Sequence, residues 1–319
     1  MTLLDVLHPS IEQDSVEGIE AITLAAGALE ATFAPRLGML GTSLRHAGDE
    51  LLHRGEGARA YRDAGALMGV PLLHPWANRL ARDELVVRGR RVRLPGPPLV
   101  RRDEHELPIH GMLGAHPGWS VHEADADGHA ARLVARFDFA ADPRLLAAFP
   151  FPHEIVVEAS LSARSLRIAT TVRATGADAV PIAFGYHPYL RLPGADRATW
   201  DVRMPSRRHL ALDAAGLPAG VGTFEPAARF RLGGLGFDDG YDGVEDGARF
   251  SVRAGGREIA VAHERGYPVA QLFSPPGAPF ICFEPMTAPT NALWTGEGLR
   301  FVAPGESFTA VFSISVRAC

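Results

Sequence analysis

The groups in this chain best equipped to move protons are one carboxylate at the end of an apolar run and two imidazoles beside backbone punctuators. Glu284 closes the run Phe280-Ile-Cys-Phe-Glu and is followed by Pro285. Proline cannot donate to a sheet ladder, so this spacing predicts a strand that leaves its sheet at Glu284. An apolar approach desolvates a lone carboxylate and raises its pKa, which makes it a useful general base near neutral pH. The same residues also fit a plain strand-end carboxylate, solvated or paired with an arginine. His187 is placed in a similar way, in Ala183-Phe-Gly-Tyr-His-Pro-Tyr-Leu190, where it leaves an apolar strand at Pro188. A histidine there suits a general acid near pH 7.

Around these two stand groups suited to holding a ligand. Pro71-Leu-Leu-His-Pro-Trp-Ala-Asn-Arg79 offers a flat apolar platform, Trp76, beside the polar forks of Asn78 and Arg79. A sugar has apolar C–H faces and a rim of hydroxyls, which such a set would match; a buried Trp with local Asn bonds fits equally. His105, His110, His116 and His122 suggest a metal, but their spacing opposes it. His105-Glu-Leu-Pro-Ile-His110 has three residues after the Glu and contains Pro108, so it is not the HExxH helix. His110 is the better ligand-facing candidate, because Gly111 beside it lets a ligand or another backbone approach closely; His116, before Pro117, reads as a turn residue. Gly236-Phe-Asp-Asp-Gly-Tyr-Asp-Gly243 brings Asp238, Asp239 and Asp242 together, as sugar-hydroxyl acceptors or as a solvated turn. It does not match a calcium loop.

The elements that must position these residues have a period of two. Ala131–Phe139, His153–Leu161, Leu166–Arg173 and Phe308–Val316 alternate apolar and polar residues, the mark of half-buried antiparallel strands. Glu20–Pro35 reads as two strands broken at Ala26-Gly27, and Glu84–Leu94 as a hairpin turning at Arg88-Gly89-Arg90. Helical signals are confined to Ala58–Met68 and Pro143–Phe149. The chain has 319 residues, with 34 Gly and 25 Pro spread throughout, and no internal repeat. The expectation is an all-β chain: one domain, residues 1–319, a large antiparallel β-sandwich with few short helices. Its long irregular stretches, Tyr61–Arg82, Arg101–Trp119, Phe184–Arg197 and Gly233–Gly247, would carry the site.

Composition narrows the chemistry further. The net charge of −5 gives no general case for nucleic acid or an anionic membrane surface. No 18-residue apolar run is present, so no membrane span is expected. The N-terminal segment, residues 1–9, lacks a basic leader region and suggests a cytoplasmic protein. Cys282 and Cys319 form neither a disulfide framework nor a metal pattern. All 32 basic residues are arginine, which excludes a Schiff-base lysine and a P-loop lysine.

The ordered set of motifs resembles the aldose 1-epimerase (galactose mutarotase-like) family from about Glu20 to Val316. Its most specific pieces are Phe184-Gly-Tyr-His-Pro-Tyr189 and Phe283-Glu-Pro-Met-Thr-Ala-Pro-Thr-Asn-Ala292. The resemblance implies a galactose mutarotase-like supersandwich, a sugar as the only small-molecule partner, no cofactor and no metal, in a monomer or homodimer. It implies that Glu284 is the base at the anomeric hydroxyl and His187 the acid at the ring oxygen, on opposite sides of the sugar ring. His110, Arg79 and Asn78 would orient the sugar, and Asp238 or Asp239 would bind its hydroxyls, with Asp242 as the outside choice. His74-Pro-Trp-Ala-Asn-Arg-Leu80 stands where better-known galactose mutarotases have Gly-Arg-Tyr-Ala-Asn-Arg-Ile, which points to a divergent branch. A 6-phosphohexose is the alternative substrate, held by arginines such as Arg79, Arg82 or Arg191. The rival functions are a non-catalytic sugar-binding protein on the same scaffold and a glycoside-processing carboxylate pair.

Overall fold

The computed structural model describes residues 8–319; the start of the N-terminal segment, residues 1–7, lies outside the described residues. The alternating segments are strands, and their alternation is the burial pattern. His153–Leu161 buries every second side chain, and Ser165–Ala174 does the same over most of its length. Paired residues share a face, so Ile155 lies opposite Val172, and Ile168 opposite Phe312.

Nine strands form the largest sheet. Their order is Ser120–Ala126, Ala131–Asp138, His153–Leu161, Ser165–Ala174, Ser307–Ala318, Arg257–Arg265, Ala248–Ala254, Asp201–Met204 and Ala228–Arg231, all antiparallel. The edge strand Ser120–Ala126 is exposed throughout, carries charged residues and is interrupted between Val121 and Glu123. Those features discourage a further strand from adding to it. A second sheet of eight strands includes Leu72–Leu73, Gly185–Tyr186, Tyr189–Leu190, Phe237–Asp242, Val269–Ser274 and Ile281–Met286. The two large sheets face each other across aromatic side chains. Tyr186 packs on Phe312 with ring centroids 4.9 Å apart, and Phe283 on Phe250 at 5.8 Å. The Tyr186 hydroxyl is buried, with the Thr170 hydroxyl 2.7 Å away, which meets the polar requirement of an otherwise apolar layer. A five-stranded meander, Ser10–Val16 to Asp49–Glu50, packs beside Ala131–Asp138 and His153–Leu161.

Among the described residues, helix is limited to the short segments Ala58–Ala64, Pro143–Ala148 and Ala292–Thr295, plus three single 3₁₀ turns. Pro143 begins its helix, and the Asp142 carboxylate accepts the Arg144 N–H at 2.8 Å, which combines two favourable starts.

Two sequence expectations about local structure are corrected. The Asp-rich stretch is no turn: Phe237–Asp242 is a strand paired with Val269–Ser274. Asp and Gly are poor strand residues, but each carboxylate has a partner: Gln271 for Asp238, His209 for Asp239 and Arg208 for Asp242. Glu284 does not mark a strand exit either. The strand Ile281–Met286 runs through Glu284 and Pro285, which lie opposite Gln271 and Ala270 of the neighbouring strand. Thr287, two residues on, donates its N–H to Phe184 on the other side. Alternation along the strand therefore aims the missing Pro285 N–H at the interrupted neighbour, which pairs with this strand through Gly185, Tyr189 and Leu190 and not at Pro285. The proline sits where no ladder partner exists.

Candidate active site

Register decides which side chains share the concave face of the eight-stranded sheet. Gly240, Gln271 and Glu284 lie in one row across three strands. Asp238, Phe273, Cys282 and Tyr189 form the next row on the same face. Asp239 pairs with Leu272, which pairs with Phe283 of the core, so Asp239 points to the opposite face. There its carboxylate lies 3.1 Å from Nε2 of His209. Strand parity turns Asp239 away, Asp242 lies farther along the strand, and of the three aspartates Asp238 alone lines the cleft that holds Glu284.

The interrupted strand supplies the histidine. His187 sits in the break between Gly185–Tyr186 and Tyr189–Leu190, its N–H bonded to the Pro71 carbonyl at 3.2 Å. Its ring stacks on Tyr189 with centroids 4.3 Å apart and 9° between planes. His187 Nε2 lies 3.2 Å from Glu284 Oε1. The two groups are 4% and 1% exposed, so little solvent shields them. Burial pushes the Glu284 carboxyl well above the usual carboxylate range, with the Asp238 charge adding to it and Arg79 opposing. Burial lowers His187 to about 3. Sequence reasoning set these groups on opposite sides of a ring; the structure sets them side by side.

Two loops close over this face. Asn78 adopts a left-handed conformation, φ 57°, and its carbonyl accepts the His110 N–H at 3.0 Å. Arg79 donates Nε–H to Asp103 at 2.6 Å and one terminal N–H to the Asn78 side chain at 3.2 Å. Asp238 lies 3.6 Å from that same terminal nitrogen, and Glu104 lies 3.6 Å from the other one. Its burial opposes the charge, but these carboxylates raise its pKa on balance. Asn291 of the Thr-Asn-Ala motif holds the loop from beneath, donating its N–H to the Arg79 carbonyl at 3.0 Å and accepting the Ala81 N–H at 2.9 Å. His110, half-buried, meets the His187 ring edge-on at 5.6 Å. Burial, together with His187 and the arginines nearby, keeps it well below its usual pKa. The backbone at Gly111 does approach closely, and its neighbour is His74: a Cβ there would stand 2.1 Å from the His74 carbonyl oxygen.

The resulting cleft encloses about 410 Å³, within the usual range for small-molecule sites. Glu284 Oε2, His187 Nδ1 and His110 Nδ1 are buried without a protein hydrogen-bond partner. Each is a buried polar group whose hydrogen bonding a ligand in the cleft would complete.

Among the residues singled out from sequence, Glu284, His187, His110, Arg79, Asn78 and Asp238 converge on this cleft. Trp76 does not: it is 1% exposed and packed in the main core, so no sugar can stack on it. Asp239 and Asp242 are also outside it, and Arg82 lies over the Trp294 ring at 4.7 Å, away from the cleft. Arg191 does not line it. His105, His116 and His122 are dispersed, and His116 pairs with Asp142 at 3.1 Å. Among the described residues no His, Cys, Asp or Glu cluster has the geometry of a metal site. Sequence reasoning missed Gln271, which donates to Asp238 at 2.7 Å beside Glu284, although it is the one polar residue in the run Val269-Ala-Gln-Leu-Phe273. It also missed Tyr189 as the stacking partner of His187, and Arg101.

Residues 20–315 match the family model described as aldose 1-epimerase. The chain is similar in structure to a galactose mutarotase-like protein from Clostridium acetobutylicum, with a TM-score of 0.87 at 17% identity over 98% of this chain and 99% of that one. It is also similar to the Slr1438 protein of Synechocystis, with a TM-score of 0.75 at 24% identity over 92% and 93% of the two chains. A galactose 1-epimerase from Lactobacillus acidophilus gives 0.75 at 14% identity over 98% and 99%. At these identities the likeness is one of fold, a galactose mutarotase-like sandwich.

Proposed function

We propose that this chain, which belongs to the aldose 1-epimerase family, interconverts the α and β anomers of an aldose by general acid–base ring opening. The observation that carries the reading is the buried Glu284–His187 contact of 3.2 Å at the floor of the cleft. In a cyclic aldose the anomeric hydroxyl oxygen and the ring oxygen are bonded to the same carbon. A base and an acid that stand side by side therefore match the two atoms between which a proton must pass. Glu284 takes the proton from the anomeric hydroxyl, the C1–ring oxygen bond breaks, and His187 protonates the ring oxygen as C1 becomes a carbonyl. Rotation about the adjoining C–C bond and closure on the other face give the other anomer. Atoms and charge balance with no nucleophile and no electron acceptor.

The opposed pKa shifts fit that role. Burial disfavours the carboxylate and the imidazolium separately, so the pair holds a single proton between them. In the form with the proton on His187 it is a ready base beside a ready acid. His110 and Arg79 would polarise and orient the sugar oxygens, Asn78 would support Arg79, and Asp238, fixed by Gln271, would accept sugar hydroxyls.

Anomer exchange measured by NMR on freshly dissolved α-aldoses tests the reading. Acceleration over buffer that saturates with sugar is expected. Saturable binding without acceleration would favour a sugar-binding protein that performs no chemistry.

A further inference from the structure

Three arginines line the cleft, and they differ in what neutralises them. Arg79 is surrounded by Asp103, Asp238 and Glu104. Arg102 donates to Asp83 at 2.5 Å and to the Glu106 carbonyl at 3.4 Å. The Arg101 side chain makes no ion pair and no hydrogen bond among the described residues, and one of its terminal nitrogens is buried without a partner. Its side chain lies against Gly65, where a Cβ would stand 3.2 Å from its Cδ and Nε. Arg101 lines both the cleft and an adjoining cavity of about 590 Å³.

A partly desolvated guanidinium without a counter-charge is unfavourable in an unliganded fold. Its planar fork of donors matches a carboxylate or a phosphate. A sugar hydroxyl accepts one such hydrogen bond but compensates no charge. The carboxylates of the cleft gather about Arg79, leaving Arg101 as the position at which an anion meets an uncompensated cation.

Resting on the mutarotase reading of the cleft, we propose that Arg101 determines specificity by receiving an anionic substituent of the sugar. The preferred substrate is then an aldose that carries a phosphate ester or a carboxylate away from C1, with C1 at Glu284 and His187. Arg79, Arg82 and Arg191 are poorer receptors, the first because it is already paired and the others because they stand outside the cleft.

Anomer-exchange rates of the full chain on matched gluco- and galacto-configured sets test this, each set comprising the neutral aldose, its 6-phosphate and its uronate. At least one anionic member should exceed its neutral parent in kcat/KM by about tenfold or more, the scale of a charge-assisted contact, and raised salt should shrink the gap. Arg101→Met should lower the anionic-to-neutral ratio by about tenfold, and Arg101→Lys should restore part of it. Preference for phosphate alone, carboxylate alone or both supports the proposal and names the anion. Neutral sugars turned over as well as both anionic forms would overturn it and leave the mutarotase reading standing. No acceleration of any sugar in the panel would overturn both. If Arg101→Met fails to fold, the wild-type ratio still decides.

Discussion

Glu284 and His187 are best understood as one group. Each is buried in a way that opposes its own charge, raising the carboxyl and lowering the imidazole to about 3, and their 3.2 Å contact lets a single proton serve both. Removing either leaves its partner with the wrong charge in a poorly solvated place. Glu284→Gln and His187→Asn should therefore each lower the anomer-exchange kcat by about 10²–10⁴-fold. The double variant should be only slightly slower than the worse single one, since residues that act as a unit are not additive. Factors that multiply in the double variant would mean that the two work independently. Single residues also mark where reading the sequence stops. The carboxylate and the imidazole were legible because each ends its apolar run at a proline. Asp238 could not be told from Asp239 by composition, because only strand parity separates them. Trp76 stayed open between platform and core, since an aromatic beside polar residues looks alike whether it faces a ligand or a core. Arg101 was overlooked because its distinction from Arg102 lies in a partner, Asp83, that only the fold brings near.

At the scale of elements, the period-two segments were legible to within a residue or two, because burial on one face of a sheet imposes that alternation directly. The breaks were not. Pro285 looked like a strand end, yet the strand continues and the neighbouring strand is interrupted instead, at His187-Pro188. One sequence window cannot say on which side a ladder is missing. The Asp-rich stretch looked like a turn because propensity ignores the Gln271, His209 and Arg208 side chains that settle it into a strand. The site thus depends on irregular joints, of which Gly111 is a tightly constrained one. Its φ is 74°, and a Cβ would meet three backbone atoms of His74 within 3 Å. Gly111→Ala should cost about 1–3 kcal/mol of stability, from overpacking and backbone strain together. Because the adjacent His110 N–H is tied to Asn78, the same change should displace both loops and lower kcat/KM for sugars. Urea denaturation and anomer-exchange kinetics on one preparation check the pair of effects; wild-type values for both would show that the joint relaxes without consequence.

For the whole molecule, all three principal sheets contribute to one continuous core, from Ile22 and Phe33 in the meander through Ile168 and Phe312 to Tyr186 and Phe283. We propose that residues 1–319 unfold as one unit, so that intrinsic fluorescence and far-UV circular dichroism should give coincident urea transitions. The position of that transition should depend on pH in a direction set by buried imidazoles. His74, His153, His187 and His263 are at most 4% exposed. Burial holds His153 and His263 at about 4 and His187 at about 3, and it lowers His74 well below 6.5, with His153 beside it contributing. The folded chain keeps these rings neutral, whereas the unfolded chain protonates them as pH falls below about 6.5, so stability is lost through that range. Glu284 acts in the opposite sense: its raised folded pKa keeps a proton that the unfolded chain releases above about 4.5, a contribution present in acid and lost as pH rises. With four imidazoles against one carboxyl, the acid loss dominates between pH 6.5 and 4.5. Each net proton is worth up to about 1.4 kcal/mol per pH unit. The urea midpoint should therefore fall steadily over that interval. A midpoint that stays flat would mean that the buried histidines are not held neutral, and two separated transitions would mean that the sheets do not share one cooperative core.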